Sequence, residues 1–302
     1  MITRITSQTQ LRHAQSALYA SLSQLTATQD KATSRQNISR PSDDPTGTAN
    51  ALAVRSSQSA NAQYTRNATD GNTWLTMVDS SLSSVEAIMQ RVRDLTVAGA
   101  NDGSLSQTAK DALADELDGL KGNLLSLANT QVLGRNIFAG TSDAAQAFRV
   151  DTTPTGQPDY VYTGTPGDSV QRRIGQDVTV RVDGDGAAVF GVGSDSAFAL
   201  IDQISSDLRS AVNVGPRLAQ IDDRMTSILA QHAVIGGAEN QVQRAQNDLS
   251  GQSVTLEAQR SSIEDVDLGT VILDLQTKRT NYQAALYATA QALPATLMDF
   301  LR

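Results

Sequence analysis

VGPRLAQIDDRMTSILAQHAVIGGAENQVQRAQNDLSGQSVTLEAQRSSI, residues 214–263, is the stretch on which the fold turns. Val214, Ile221, Ile228, Ile235, Val242, Leu249, Leu256 and Ile263 stand seven apart without a break, with Leu218, Met225, Ala238, Ala245 and Val266 as half-way partners. An apolar repeat of seven keeps one thin stripe of a helix turned toward a partner helix, the geometry of a coiled coil. His232, Gln246 and Ser253 at intermediate positions keep that stripe narrow. Val214-Gly215-Pro216 reads as a stop and restart, with proline tolerated in the first turn. Gly236-Gly237 marks a candidate kink, since each glycine costs about 1 kcal/mol in a helix interior.

The first half carries matching stripes. Leu75, Val78, Leu82, Val85, Met89 and Val92 alternate three and four apart, and the same phase runs back through Ala68, Tyr64 and Val54. A helix from about Pro45 to Val97 is roughly 80 Å long at 1.5 Å per residue. Asp102-Gly103-Ser104 is expected to break it. A second helix follows, with Leu113, Leu117, Leu120, Leu124 and Leu127 in the same rhythm. Between Gly134 and Ser196 the period changes to two: Asp159–Thr163 and Asp177–Val182 alternate β-branched or aromatic residues with polar ones, punctuated by Pro154, Pro158, Pro166 and glycines. That pattern predicts a small β domain. Helical spacing resumes at Phe198, Ile201, Ile204, Leu208 and Val212. The expected fold is therefore mainly α: a long antiparallel coiled-coil-like bundle formed by the N- and C-terminal halves, with a small central β domain. The expected divisions are residues 1–42 with 264–302 as terminal helices, 43–138 with 197–263 as an inner bundle, and 139–196 as a β-rich domain.

Composition narrows the chemistry. The 302 residues include 4% aromatics, two histidines and no cysteine, with a net charge of −8. The absence of cysteine excludes disulfides, thiolate zinc sites and cysteine nucleophiles. The acidic balance argues against nucleic acid or an anionic membrane as partner. Neither His13 nor His232 stands in a context that supplies a base to a serine, and no acid/base pair clusters in the β segment, so an enzyme is not expected. Asp183-Gly184-Asp185-Gly186 opens like a calcium loop, but Ala187-Ala188-Val189-Phe190 supplies no further oxygen ligands, and a hairpin turn centred on Asp-Gly is the expectation. Glu264-Asp265-Val266-Asp267 reads as the acidic first turn of a helix rather than a metal site. No cofactor is expected. The N-terminus has no apolar signal region, and the charge-free run Thr280–Met298 is too polar to cross a membrane. These features suit a cytosolic protein or one exported without a cleaved signal.

The two ends are amphipathic and opposite in charge. Leu11, Leu18, Leu25 and Ala32 repeat near the start among five basic residues and one acidic; Leu268, Ile272, Leu275, Tyr282, Leu286 and Leu293 repeat near the end, where acidic residues outnumber basic ones. Their paired apolar area is thin, so each end alone is expected to be poorly folded. Between the first helix and the second, Arg40-Pro41-Ser42-Asp43-Asp44-Pro45 fixes two φ angles and offers Asp44 as a cap for a helix beginning at Pro45. It reads as an elbow.

The elbow and Thr46–Leu52 after it resemble the corresponding stretch of bacterial flagellins and the flagellar junction proteins related to them. Arg66-Asn67-Ala68-Thr69-Asp70-Gly71, Gln90–Val97, Ser261–Asp267 and Ala290–Leu301 resemble further segments of that family in type and order. Leu124–Thr130, Gly134–Thr141 and Tyr160–Gly164 look more like the hook–filament junction branch than like true flagellins, with a short flagellin as the alternative and a cytosolic coiled-coil scaffold behind it. The resemblance implies a structural subunit, exported unfolded by the flagellar type III apparatus after a transient cytoplasmic stage and located in the extracellular flagellum. Its implied partners are further copies of itself in a ring, the first hook-associated protein, flagellin and a cytosolic export chaperone. It assigns Leu11, Leu18, Leu25, Leu286, Leu293, Leu297 and Phe300 to assembly through terminal helices, and Pro41, Asp44 and Pro45 to the angle between layers. Arg91, Arg93 and Asp94 are candidates for contacts between subunits.

Overall fold

The structure, a computed structural model, describes residues 7–101, 105–152, 158–165 and 167–292. The expected break at Asp102-Gly103-Ser104 and the prolines at 154 and 166 lie outside them. The described chain is mainly α: α1 Ser7–Ser34, α2 Pro45–Ala100, α3 Gln107–Ala128, α4 Gly186–Phe190, α5 Ala197–Arg209, α6 Arg217–Glu264 and α7 Leu268–Ala292. Among the described residues between α3 and α4 lie six short strands, β1 Gln131–Val132, β2 Arg135–Asn136, β3 Phe148–Thr152, β4 Pro158–Tyr162, β5 Gln171–Arg173 and β6 Thr179–Arg181. The chain divides into two compact units, residues 1–60 with 252–302 and residues 61–251, and the division falls within α2 and α6.

In the unit formed by residues 61–251, the two heptad stripes are the core. Leu75, Val78, Leu82, Val85, Met89 and Val92 of α2 are buried, as are Val214 and Ile221, Ile228, Ile235, Val242 and Leu249 of α6. Each such side chain contributes about 1.5–3 kcal/mol by leaving water. The helices run antiparallel, because Arg93 meets Asp222, Glu86 and Asp79 meet His232, and Asn61 Nδ2 donates to the Leu249 carbonyl at 3.1 Å. Helix α6 passes Gly236-Gly237 without interruption, so the expected kink does not break it. Against this pair lie α3 and α5, also antiparallel, capped by Ser106 and Ser196 and tied by Lys121 to Asp202 and Arg209 to Asp118 at 2.7 Å.

The strands form three separate antiparallel hairpins, beginning at Gln131, ahead of the expected residue 139. Hairpin β3–β4 aligns Phe148 with Tyr162 and Val150 with Tyr160. Its inward aromatics join the helices in one knot: Phe148 lies 5.4 Å from Phe190 and 5.2 Å from Phe198, and Tyr160 stacks on Phe198 at 5.2 Å. The few aromatics are therefore concentrated where strands meet helices. Arg66–Gly71 holds a second hairpin. Asp70 pairs with Arg172 at 2.6 Å, Asn67 Nδ2 donates to the Arg173 carbonyl at 2.7 Å, and Arg172 lies over the Trp74 ring.

Asp183–Gly186 is not a hairpin turn. It leads from β6 into α4, where Asp185 caps the helix by accepting from Ala188 N–H at 3.1 Å. Asp183 is buried and accepts from Val170 N–H at 2.8 Å and from Arg181. Burial pushes its carboxyl up, opposed by the Arg181 guanidinium and that N–H. Both glycines are dictated by the approach of Phe138: a Cβ on Gly186 would lie 2.4 Å from its carbonyl oxygen, and one on Gly184 2.7 Å from its ring. The spacing alone could not separate this cap from a turn, since Asp-Gly serves both.

The β1–β2 turn carries a residue at odds with its backbone. Leu133 has φ 50 and Gly134 φ 78, the pattern of a type I′ turn, which favours asparagine or glycine. Leu133 is also 88% exposed. Leu133→Asn is expected to stabilise the chain by about 0.5–1 kcal/mol, read as a higher urea midpoint at unchanged slope.

Candidate functional site

In the unit formed by residues 1–60 and 252–302, α1 and α7 pair antiparallel, with Thr28 Oγ1 donating to Asp274 at 3.3 Å and Lys278 Nζ to Gln24 at 3.3 Å. Ala14, Leu18, Ser21, Leu25, Thr28 and Ala32 of α1 turn inward, alternating four and three apart, as do Val271, Leu275, Lys278, Tyr282, Ala285 and Thr289 of α7. Small and polar residues make up much of this seam. Among the described side chains of the two helices, Thr28 is buried and every apolar one keeps some exposure.

The expected phase of α7 is corrected in part. Leu275 and Tyr282 face α1, but Leu268, Ile272 and Leu286 lie on the exposed side, and the shorter Val271 and Ala285, next to Ile272 and Leu286, fill the seam in their place. Ile272 is 56%, Leu273 68% and Tyr287 76% exposed, and on α1 Tyr19 is 71% exposed. Of the residues assigned to assembly, Leu18 and Leu25 are half-buried and Leu286 is exposed. Leu11 lies in α1 with its side chain undescribed, and Leu293, Leu297 and Phe300 lie outside the described residues.

The elbow closes as its residues dictate. Gly47 N–H donates to Asp44 Oδ1 at 2.9 Å, the Asp44 carbonyl accepts from Thr48 N–H at 2.9 Å, and Pro45 opens α2. Before them, Asp43 accepts from Arg40 N–H at 2.9 Å and donates its own N–H back to the Arg40 carbonyl. A Cβ on Gly47 would fall 2.3 Å from the Asp44 carboxylate and 2.7 Å from Ile38, so a larger residue here displaces the side chain that caps the helix. Pro41 is exposed in the turn.

The connection from α6 to α7 is stitched to the connection from α1 to α2. Asn37 N–H donates to the Glu264 carbonyl at 2.7 Å, Val266 N–H donates to the Arg35 carbonyl at 3.2 Å, and Gln36 bridges Asp265. Glu264 is buried and receives Arg55 at 2.8 Å and Arg260 at 3.1 Å. It therefore ends α6, whereas Asp267 alone caps α7, accepting from Gly269 N–H at 2.9 Å and from Thr270 at 2.8 Å. Those two donors hold the Asp267 carboxyl below the usual carboxylate range. The acidic cluster is thus divided between two helix ends. The Glu264 clamp was missed at the level of sequence, although Arg260 four residues before it was a readable sign.

Arg91 pairs with Glu116 of α3 at 2.6 Å and Arg93 with Asp222 of α6 at 2.8 Å, both on the exposed rim, and Asp94 is exposed beside Arg93. Val92 between them is core. Among the described residues no group of histidines and carboxylates is arranged to hold a metal, and no helix is long and apolar enough to cross a membrane.

Residues 5–143 match the bacterial flagellin N-terminal helical region and residues 218–301 the bacterial flagellin C-terminal helical region. Flagellin of Bacillus subtilis is 25% identical over 90% of this chain and 91% of its own length. Flagellar hook-associated protein 3 of Escherichia coli is 24% identical over 84% of this chain and 85% of its own. Among solved structures, a flagellar hook-associated protein of Vibrio parahaemolyticus superposes with a TM-score of 0.66 at 25% identity, covering 74% of this chain and all of that one. Flagellar hook-associated protein 3 of Legionella pneumophila shares the fold, with a TM-score of 0.62 at 16% identity over 70% of this chain and 98% of its own.

Proposed function

The chain belongs to the bacterial flagellin family, and from that premise we propose that it is the structural adaptor that joins the flagellar hook to the filament. It is a structural protein, not an enzyme, and a component of the extracellular flagellum that assembles with other flagellar parts. The observation that carries the reading is the contrast in burial. The heptads of residues 61–251 are closed within the chain, while α1 and α7 leave Ile272, Leu273, Leu286 and Tyr287 in water. An apolar face that one chain leaves open marks a surface for association.

On this reading copies of the chain form a ring whose terminal helices complete one another's burial, Leu11, Leu18, Leu25, Leu286, Leu293, Leu297 and Phe300 among them. The ring meets the first hook-associated protein on one side and flagellin on the other. Pro41, Asp44 and Pro45 set the angle at which the terminal helices leave the inner bundle, and Arg91, Arg93 and Asp94 lie at contacts between subunits. The chain passes through the cytoplasm with an export chaperone and leaves unfolded, to which the absence of cysteine is suited. Ordering of the ends is then coupled to assembly.

A short flagellin is the second reading, favoured by the Bacillus subtilis relative that matches along most of both chains. Deleting the gene separates the two. A junction subunit leaves hooks without filaments and flagellin shed into the medium. Loss of filament with no secreted filament protein supports the flagellin reading, and a chain found only in lysates and never in flagella overturns both.

A further inference from the structure

A histidine enters the largely apolar seam between α2 and α6 within residues 61–251. His232 of α6 places Nδ1 2.5 Å from Glu86 Oε1 and Nε2 2.8 Å from Asp79 Oδ1, both on α2. Asp79 and Glu86 are seven residues apart, two turns along one helix face, and the imidazole lies between them. The buried Val78, Leu82 and Val85 on one helix and Ile228 and Ile235 on the other flank the site.

A neutral imidazole has one N–H donor and one lone pair. It can satisfy one of these carboxylates, and then turns its lone pair on the other. Only the imidazolium, with two N–H groups, satisfies both. We propose that His232 is a proton-held clasp between α2 and α6: as an imidazolium it bridges Asp79 and Glu86, and loss of its proton opens the bridge and loosens this part of the seam.

The surrounding charges agree with that sign. Burial by itself lowers the basicity of the ring, but its hydrogen bonds to Glu86 and Asp79, and their charges, outweigh it and hold the pKa above the ordinary 6.5. Glu239, on the same helix as His232, is the third carboxylate of the group. Burial and the Asp79 charge raise its pKa, and His232 opposes them. A histidine whose pKa is raised by folding contributes stability that is complete below the unfolded value and is lost as pH rises through the folded one. The clasp is therefore shut in mild acid and released toward alkaline pH.

The chain has two histidines, so the full-length His13→Gln variant leaves His232 as the sole imidazole reporter in an NMR titration. A midpoint above 6.5 that falls in Asp79→Asn and in Glu86→Gln is expected; a midpoint at or below 6.5 overturns the proposal. Urea unfolding of the parent and of His232→Gln between about pH 6 and 9 is the second arm. The unfolding constant of the parent is expected to rise more over that range than that of the variant, because only the parent loses a histidine proton held by the fold. Parallel profiles overturn the clasp. Should His232→Gln fail to fold, Asp79→Asn, which leaves His232 paired with Glu86, serves the same comparison: a shallower pH slope is expected, and an unchanged slope overturns.

Discussion

Replacing Ile272 and Leu273 together by aspartate is expected to leave the folded chain intact and to abolish its incorporation into the flagellum. Both side chains are more than half exposed on the face of α7 turned away from α1, so their removal opens no cavity. Surface changes of this kind alter stability by about 0.5 kcal/mol or less. In an assembly that covers the same face, two carboxylates would be desolvated without partners, at several kcal/mol each. Circular dichroism and urea unfolding indistinguishable from the parent, with the variant secreted but absent from sheared flagella, is the expected result. Normal incorporation would refute the assembly role of this face. Deleting Gly269 to Arg302 provides the coarser companion: helical signal from residues 61–251 is retained, and incorporation is lost.

Phe198→Ala is expected to destabilise the chain by about 3–5 kcal/mol. Phe198 is fully buried and stands at the centre of the aromatic knot, within 5.2 Å of Phe148, 5.2 Å of Tyr160 and 5.6 Å of Phe190. Truncation leaves a cavity bounded by rings from β3, β4 and α4, and also removes one tilted and two stacked pairs, worth about 0.5–1.5 kcal/mol each beyond their area. Urea unfolding should show the loss as a lower midpoint, and limited proteolysis should cut first near the hairpins. A loss below about 1 kcal/mol would mean that the strands hold to the helices by other contacts.

Much of the helical scaffold is legible because its signal is local and repeated. Val214 through Leu249 and Leu75 through Val92 repeat over many turns, and every member of both runs is buried. Asp44 and Pro45 are legible for a similar reason, since a cap and a first-turn proline act within four residues of each other. The short strands are less so. Residues 159–163 and 177–182 alternate as strands do, and the pairing falls close by, but two-residue strands such as β1 and β2 are below the reach of any period. Asp183–Gly186 shows the limit of turn chemistry, because the same residues suit a hairpin and a helix start. At the terminal helices the repeat is weaker: α7 has apolar residues on two phases, so spacing selects Leu268, Ile272 and Leu286 along with Leu275 and Tyr282, whereas only the last two, with Val271 and Ala285, face the partner.

By itself the sequence determined which of the long segments are helices, that two heptad stripes must close on each other, where the chain turns at Pro41–Pro45, and that no cysteine chemistry is present. Those properties depend on residues within a turn or two of each other, so a one-dimensional pattern carries them. Tertiary structure alone decided what the isolated polar residues do. It put Arg55 and Arg260 on the buried Glu264, Asp202 between Lys121 and Tyr160, and His232 between Asp79 and Glu86. Most of these partners are tens to hundreds of positions apart, and no repeat announces them. Burial in a shared seam sets which charges meet, because a charge removed from water must find its partner wherever packing has placed one.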